Sequence, residues 1–188
     1  MGKLVVTEFV SLDGVFEDPG GAEGFEHGGW SFKFDRSTEG DTFKVDELTA
    51  AGAQLLGRVT YQGFAAAWPN VTSGPFAEKM NSMPKYVVSS TLERADWENS
   101  TVIDGDGAME RIAGLKQEVE GDILVAGSGT LVTGLAEAGL VDELHLMVFP
   151  IVLGTGRRLF DGLSSPATLQ LAGMQEAGDA LILTYVPR

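Results

Sequence analysis

Two short stretches hold residue types and spacings that suit chemistry on an anion. In Asp122-Ile123-Leu124-Val125-Ala126-Gly127-Ser128-Gly129-Thr130-Leu131, a β-forming apolar run stops at Gly-Ser-Gly and resumes at once with a helix-like pattern. Such a junction aims bare backbone N–H groups and a positive helix end past the strand tip, a setting for a phosphate. In Leu55-Leu56-Gly57-Arg58-Val59-Thr60-Tyr61 a second strand-to-helix junction adds a guanidinium and a hydroxyl. Charge-assisted hydrogen bonds from Arg58 would hold the same kind of group. Together the junctions point to a phosphate-bearing cofactor. Each also has a plain structural reading: Ser128 or Thr60 as a helix cap, Gly57 as relief of crowding, Arg58 as a solvated charge. Neither junction has the spacing of a Rossmann fingerprint or a P-loop.

The elements that must position these turns alternate along the chain. Strands are expected at residues 3–10, 53–57, 85–90, 100–103, 122–126 and 142–149. Helices are expected at 42–51, 58–66, 75–82, 107–119 and 129–138. Residues 17–40, rich in glycine and acidic side chains, read as a long irregular binding loop. Two final β-rich runs, 167–174 and 179–186, flank Glu176-Ala177-Gly178, a hairpin signal. The order implies an α/β fold, a mostly parallel sheet closed by a C-terminal antiparallel hairpin, with residues 1–188 as a single domain.

Composition narrows the function classes. The chain has no cysteine, which removes disulfides, zinc–thiolate sites and thiol nucleophiles. A net charge of −14 argues against nucleic acid or an anionic membrane as partner, and requires local cations wherever an anionic cofactor binds. No signal-like N-terminus and no membrane-length apolar run is present, so a cytoplasmic location is expected. No spacing of histidine and carboxylates suggests a metal site.

Several motifs then occur in register along the whole chain. Leu56-Gly57-Arg58-Val59-Thr60-Tyr61, the strand Lys85-Tyr86-Val87-Val88 with Ser89, Ser90 and Thr91 at its end, and Gly127-Ser128-Gly129-Thr130-Leu131 resemble the dihydrofolate reductase-like proteins. Ser11-Leu12-Asp13-Gly14, Val141-Asp142-Glu143-Leu144 and Pro150-Ile151-Val152-Leu153-Gly154-Thr155-Gly156 narrow the resemblance to one branch. That branch is the reductase domain found at the C-terminus of the bifunctional riboflavin-biosynthesis deaminase-reductase.

The resemblance implies the three-layer dihydrofolate reductase-like fold and a homodimeric, NADPH-dependent reductase of a pyrimidine- or pterin-like heterocycle, similar to 5-amino-6-(5-phosphoribosylamino)uracil reductase. It places the nicotinamide along the first strand near Phe9 to Asp13 and the pyrophosphate on Gly127, Ser128, Gly129, Thr130 and Leu131. The 2′-phosphate side falls to Gly57, Arg58, Thr60, Ser89, Ser90 and Thr91. A zinc deaminase half like that of the bifunctional enzyme is not expected in these residues, which hold no cysteine.

Asp13 and Asp41 are the catalytic candidates; the resemblance implies an acidic residue on the helix before the Gly57 junction, where Asp41, Asp46 and Glu47 all lie and Asp41 has the closest spacing. Asp13 is alternatively the acceptor of an Asp-Gly turn and Asp41 a helix N-cap. Phe9 and Trp30 are substrate-side candidates, as is Arg157, which is equally readable as a surface or dimer residue. Trp68 and Trp97 read as plugs of the core edge, His27 as surface and His145 as a sheet position without a catalytic partner. Two other functions fit the same residues: a dimeric nucleotide-binding protein of this fold without strong catalysis, and a structural protein whose glycine turns are merely tight. NADPH binding separates the latter, and hydride transfer separates the former.

Overall fold

The computed structural model describes residues 2–188; Met1, the first residue of the expected unit, lies outside them. Eight strands form one sheet in the order β4-β3-β2-β5-β1-β6-β8-β7. The strands are β1 (Leu4–Ser11), β2 (Ala51–Gly57), β3 (Lys85–Val88), β4 (Ser100–Ile103), β5 (Asp122–Val125), β6 (Glu143–Phe149), β7 (Leu169–Ala177) and β8 (Ala180–Pro187). Every pairing from β4 across to β6 is parallel, whereas β6–β8 and β7–β8 are antiparallel. The expected mostly parallel sheet with its terminal hairpin is therefore present.

Alternation along the buried strands sends side chains to two helical layers. Leu4, Val6, Leu55, Ile123 and Val125 pack with Ile112 and Leu115 of α4 (Ala108–Glu118) and Leu131 and Leu135 of α5 (Gly129–Glu137). On the other face Val5, Leu56 and Leu124 meet Leu48 of α1 (Ser37–Ala50), Tyr61 of α2 (Arg58–Ala67) and Met80 of α3 (Pro75–Ser82). A third cluster, built on Trp30, Met147, Phe149 and Ile182, fills the hairpin end. β3 carries a fully buried lysine. Lys85 Nζ donates to the carbonyls of Asn81, Met83 and Glu98 at 2.8, 2.8 and 3.0 Å and lies over the Trp97 ring, and burial pushes it down to about 8.

Two boundaries depart furthest from the sequence reading. α1 begins at Ser37, not residue 42, because tertiary contacts override the weak helix formers at its start. Gly40 packs there against Ala177 and Met147, and Asp179 N–H donates to the Asp35 carbonyl at 2.7 Å. The hairpin turns at Gly178-Asp179, after Ala177 pairs with Ala180. Gly178 has φ 61, and a Cβ on it would strike the Asp35 carbonyl, so the turn needs glycine twice over.

Candidate functional site

The parallel strands β3, β2, β5 and β1 point their C-terminal ends the same way, which is where open α/β sheets bind ligands. This brings the sequence-distant turns onto one edge. The Gly57 N–H donates to the Gly127 carbonyl at 3.1 Å, locking the two glycine junctions together. A Cβ on Gly57 would collide with the Ser128 hydroxyl; on Gly127 (φ 84) it would lie 2.7 Å from Thr60 Oγ1, and on Gly129 2.5 Å from the Phe16 ring. Glycine is thus required by close approach at all three positions. Ser128 stands at the N-cap position of α5, as one reading had it, but its hydroxyl makes no capping hydrogen bond, and Thr60 lies within the first turn of α2, whose N-cap is Gly57. The first-turn N–H groups, which lack intrahelical acceptors, face outward at positive helix ends. Arg58 is exposed beside them and donates to Gln62 at 3.0 Å. Beyond β3, the Ser89 hydroxyl accepts from the Thr91 and Leu92 N–H groups at 3.1 and 2.9 Å, and Ser90 packs near Gly105.

A cavity of about 570 Å³ opens next to this edge. Its cause is a split in the sheet. β1 pairs with β5 only as far as Val6 and Val125, while its pairing with β6 continues to Ser11 and Phe149. Thr7, Glu8, Phe9, Leu124, Ala126 and Gly127 line it around the split. α1 adds Asp41, Lys44, Glu47 and Leu48; Gln54, Thr60, Phe64, Trp68, Phe76 and Met80 complete the opposite wall. The loop before α1 contributes Phe16, Asp18, Pro19, Gly20, Glu23, Ser31, Phe32 and Arg36. Buried Asp18 orders that loop: its carboxylate accepts from the Ala22 and Phe25 N–H groups, its carbonyl from those of Gly21 and Gly29.

The polar groups of the cavity form a connected chain. Lys44 Nζ donates to Thr7 Oγ1 at 2.7 Å and pairs with Glu47 at 2.5 Å. Glu47 Oε1 meets His145 Nδ1 at 2.6 Å, His145 Nε2 meets Glu143 at 3.3 Å, and Glu143 pairs with Lys3 toward the surface. Burial alone would raise Glu47, but Lys44 beside it and hydrogen bonds from His145, Lys44 and Thr7 hold it below the ordinary carboxylate range. Glu8 behaves in the opposite way. Burial pushes its carboxyl up to about 8, against the pull of Lys44 and a hydrogen bond from the Gly127 backbone, so it is largely protonated at neutral pH. Its Oε1 is shielded from solvent and has no partner, as is Oε1 of Gln54, whose amide nitrogen donates to Met80 Sδ at 3.0 Å.

The sequence candidates separate on this geometry. Phe9, Thr60 and Gly127 line the cavity, and Gly57, Arg58, Ser89, Ser90, Thr91, Ser128, Gly129, Thr130 and Leu131 lie along the adjoining edge. Asp41 lies at the cavity, exposed and paired with Arg36 at 2.9 Å; in the second turn of α1, it is not an N-cap. Asp13 stands outside the lining. Its carboxylate accepts from the Ser11 hydroxyl and the Leu153 and Gly154 N–H groups, and these bonds, led by Ser11, hold it at about 2. An acid that strong is a turn acceptor rather than a proton donor. Trp30 is fully buried, edge-on to Phe149 with Nε1 bonded to the Glu17 carbonyl, and faces the core rather than a substrate. Arg157 is engaged by Glu17 and Glu23 at 2.8 and 3.2 Å, fastening the loop. Trp68 packs against the core cluster and also lines the cavity, and His145 is the sheet position expected, with a carboxylate on each ring nitrogen.

Glu8, Lys44, Glu47 and Gln54 carry no motif. Glu47 was one of three acidic residues that the resemblance left open, and Glu8 was readable as a carboxylate in the otherwise β-forming run Leu4-Val5-Val6-Thr7-Glu8-Phe9-Val10, since an ionisable group rarely enters a central strand without a task. Among the described residues no cluster of three His, Cys, Asp or Glu side chains is placed to hold a metal ion, and no helix is long and apolar enough to cross a membrane.

Comparison with known proteins adds a lineage. The family described as RibD C-terminal domain matches residues 2–183. The uncharacterized protein YwjB of Bacillus subtilis (strain 168) is 32% identical, over 98% of this chain and 97% of that protein. The diaminohydroxyphosphoribosylaminopyrimidine deaminase/5-amino-6-(5-phosphoribosylamino)uracil reductase of Thermotoga maritima superposes with a TM-score of 0.69 at 15% identity, covering 100% of this chain and 57% of that one. Dihydrofolate reductase from Enterococcus faecalis, complexed with NADP(H), gives 0.60 at 15% identity, covering 100% and 97%. At these identities the two structures share the fold.

Proposed function

Because the chain belongs to the RibD C-terminal domain family, a reductase-type family on a dihydrofolate reductase-like fold, we propose that it is an NADPH-dependent reductase of a pyrimidine- or pterin-like heterocycle. The observation that carries this reading is the junction of two features: a glycine cradle between uncapped helix ends, and beside it a cavity whose central strand holds a protonated carboxyl. The edge suits a dinucleotide because the helices starting there, α2 and α5, make no side-chain capping hydrogen bond and leave first-turn N–H groups for an anion. Gly127, Ser128, Gly129, Thr130 and Leu131 would hold the pyrophosphate, and Arg58 with Thr60, Ser89, Ser90 and Thr91 the 2′-phosphate. NADPH supplies a hydride when bound.

The chain's own task is then the proton. Hydride addition to the carbon of a C=N bond leaves the nitrogen needing one, and the Glu8 carboxyl can give up its O–H proton there and be reprotonated from solvent. The Glu47–His145–Glu143 chain holds Lys44 beside Thr7 and Glu8 and leads outward to the surface. Asp13, fully bonded and strongly acidic, supports the β1 turn.

Dimerisation belongs to the same reading. Leu146, Leu183 and Met174 stand in register across β6, β8 and β7, with Met174 68% exposed, and a second copy would cover that row. A monomer mass by light scattering at micromolar concentration would refute this.

Cofactor choice is the sharpest test. The 2′-phosphate brings about two negative charges to a chain already at −14, and a charge-assisted bond of this kind is worth roughly 1.5–3 kcal/mol. Arg58→Ala should weaken NADPH roughly ten- to a hundredfold in a fluorescence titration, while NADH binding stays nearly unchanged. Equal loss of both cofactors would assign Arg58 to the pyrophosphate. If NADPH binds but no heterocycle oxidises it, the chain is a nucleotide-binding protein of this fold; if neither cofactor binds, the reductase reading fails.

A further inference from the structure

Resting on the reading above for the identity of the cavity, we infer that its substrate carries an anionic arm, a carboxylate or a phosphate, whose oxygens replace the Asp41 carboxylate on Arg36. The two cations of the lining, Arg36 and Lys44, differ in what holds them. Lys44 is bonded to the Thr7 hydroxyl and to Glu47, whose side chain is only 4% exposed. A ligand that took Lys44 from Glu47 would strand a buried charge. Arg36 is paired at 2.9 Å with a carboxylate whose side chain is 64% exposed. Asp41 can turn out into water at little cost, because an exposed ion pair contributes little and its carboxylate is solvated either way.

Arg36 does not depend on Asp41 for its place. Its guanidinium lies over the Phe9 ring, 5.5 Å from the centroid, and Phe9 lines the same cavity. Its backbone enters α1 next to Asp35, whose N–H donates to the Asp179 carboxylate at 3.0 Å and whose carbonyl accepts from the Asp179 N–H at 2.7 Å. A guanidinium anchored in this way at the cavity is prepared for an oxyanion, which its planar fork can hold with two parallel N–H donors.

The other carboxyl groups of the lining already have their charge answered. Glu8 is largely protonated, and the Asp18 carboxylate accepts from the Ala22 and Phe25 N–H groups. Glu23 pairs with Arg157 at 3.2 Å, and Glu47 with Lys44. Once Asp41 turns to water, Arg36 is the lining cation that an incoming anion completes. Arg58, assigned to the cofactor, stands outside the lining, so the two anion sites do not compete.

Calorimetry on the whole chain with two matched pairs tests the inference. One pair is pterin-6-carboxylate against 6-hydroxymethylpterin; the other is 5-amino-6-(5-phosphoribosylamino)uracil against its unphosphorylated ribosyl form. In at least one pair the anionic member should bind about tenfold more tightly than the neutral one, the effect of one charge-assisted hydrogen bond. Which pair shows the preference tells carboxylate from phosphate. Arg36→Gln should bring that ratio close to one and leave the neutral member's affinity as it was. Asp41→Asn removes the internal competitor and should strengthen binding of the anionic member roughly threefold. Four results would each overturn the inference: neutral members that bind as well as their anionic partners in both pairs, a preference that survives Arg36→Gln, weaker anion binding in Asp41→Asn, or no binding of any probe at millimolar concentration. The NADPH titration is run separately. Failure there with the anion preference intact removes the reductase reading and leaves the Arg36 site standing. NADPH binding with no preference for the charged members does the reverse.

Discussion

Asp13 and Glu8 stand five residues apart on β1 and its following turn, and they are opposites. Around Asp13 each carboxylate oxygen is bonded: Ser11 and Leu153 serve Oδ1, and Gly154 serves Oδ2 with Arg158 at 3.6 Å. Donors converging on a carboxylate stabilise its charge, and Asp13 falls to about 2. Around Glu8 the sheet splits, donors are scarce and one oxygen is orphaned, so burial dominates and the group rises to about 8. The same functional group becomes a structural fastener in one place and a proton reservoir in the other. The deciding factor is how many N–H and O–H groups the backbone can bring to it.

The largest expected effect breaks this comparison at Glu8. Its folded value of about 8 lies above the ordinary 4.5, so between those values the folded chain holds a proton that the unfolded chain has released. Stability contributed by Glu8 is therefore complete below pH 4.5 and is lost as pH rises through 8. Glu8→Gln should match the parent at pH 4 and exceed it at pH 9 by on the order of 3 kcal/mol in denaturant unfolding. Equal stability of the two at both pH values would show that Glu8 titrates normally.

Asp13 gives the mirror image and a smaller effect. Its value of about 2 lies below the ordinary 3.8, so its contribution is present above pH 3.8 and is lost as pH falls through 2. Asp13→Asn should cost about 2 kcal/mol at pH 7, chiefly by weakening the bonds to Leu153 and Gly154, and flatten the acid limb of the stability curve. With NADPH turnover as the readout, Asp13→Asn should retain activity when folded and Glu8→Gln should lose it; the reverse outcome would exchange their roles.

Ser11→Ala sharpens the comparison most gently. The Ser11 hydroxyl donates to Asp13 at 2.7 Å and accepts from the Val15 N–H at 2.9 Å. Its removal should cost about 1 kcal/mol and move the carboxyl resonance of Asp13, followed by NMR titration, upward toward the ordinary range. An unmoved Asp13 would mean that the loop amides alone hold it down.

The contrast also explains what was legible in the sequence. Ser11-Leu12-Asp13-Gly14 and the glycine junctions are contiguous because turns and close approaches are made by neighbouring residues, and such constraints leave compact traces. The parallel sheet and the helices at 58–67, 75–82 and 129–137 were readable for the same reason, since strand and helix periods are local. The cavity is made by long-range pairing: Lys44 reaches Thr7, and Glu47 reaches His145 across 98 positions. No spacing along the chain encodes that meeting. Trp30 misled for a related reason, because an indole in a glycine-rich loop looks exposed until the loop folds back on Phe149.

The tip of the final hairpin has one more consequence, for the order in which the molecule is made. Asp179 fastens Asp35 at the entrance to α1, and β6, which stays paired with β1 alongside the split, is itself backed by β8. The helix bearing Lys44 and Glu47 is thus clamped by residues synthesised long after it. Contacts spanning 144 positions make for slow, topology-limited folding, and a growing chain on the ribosome can assemble the cavity only after β7 and β8 have emerged.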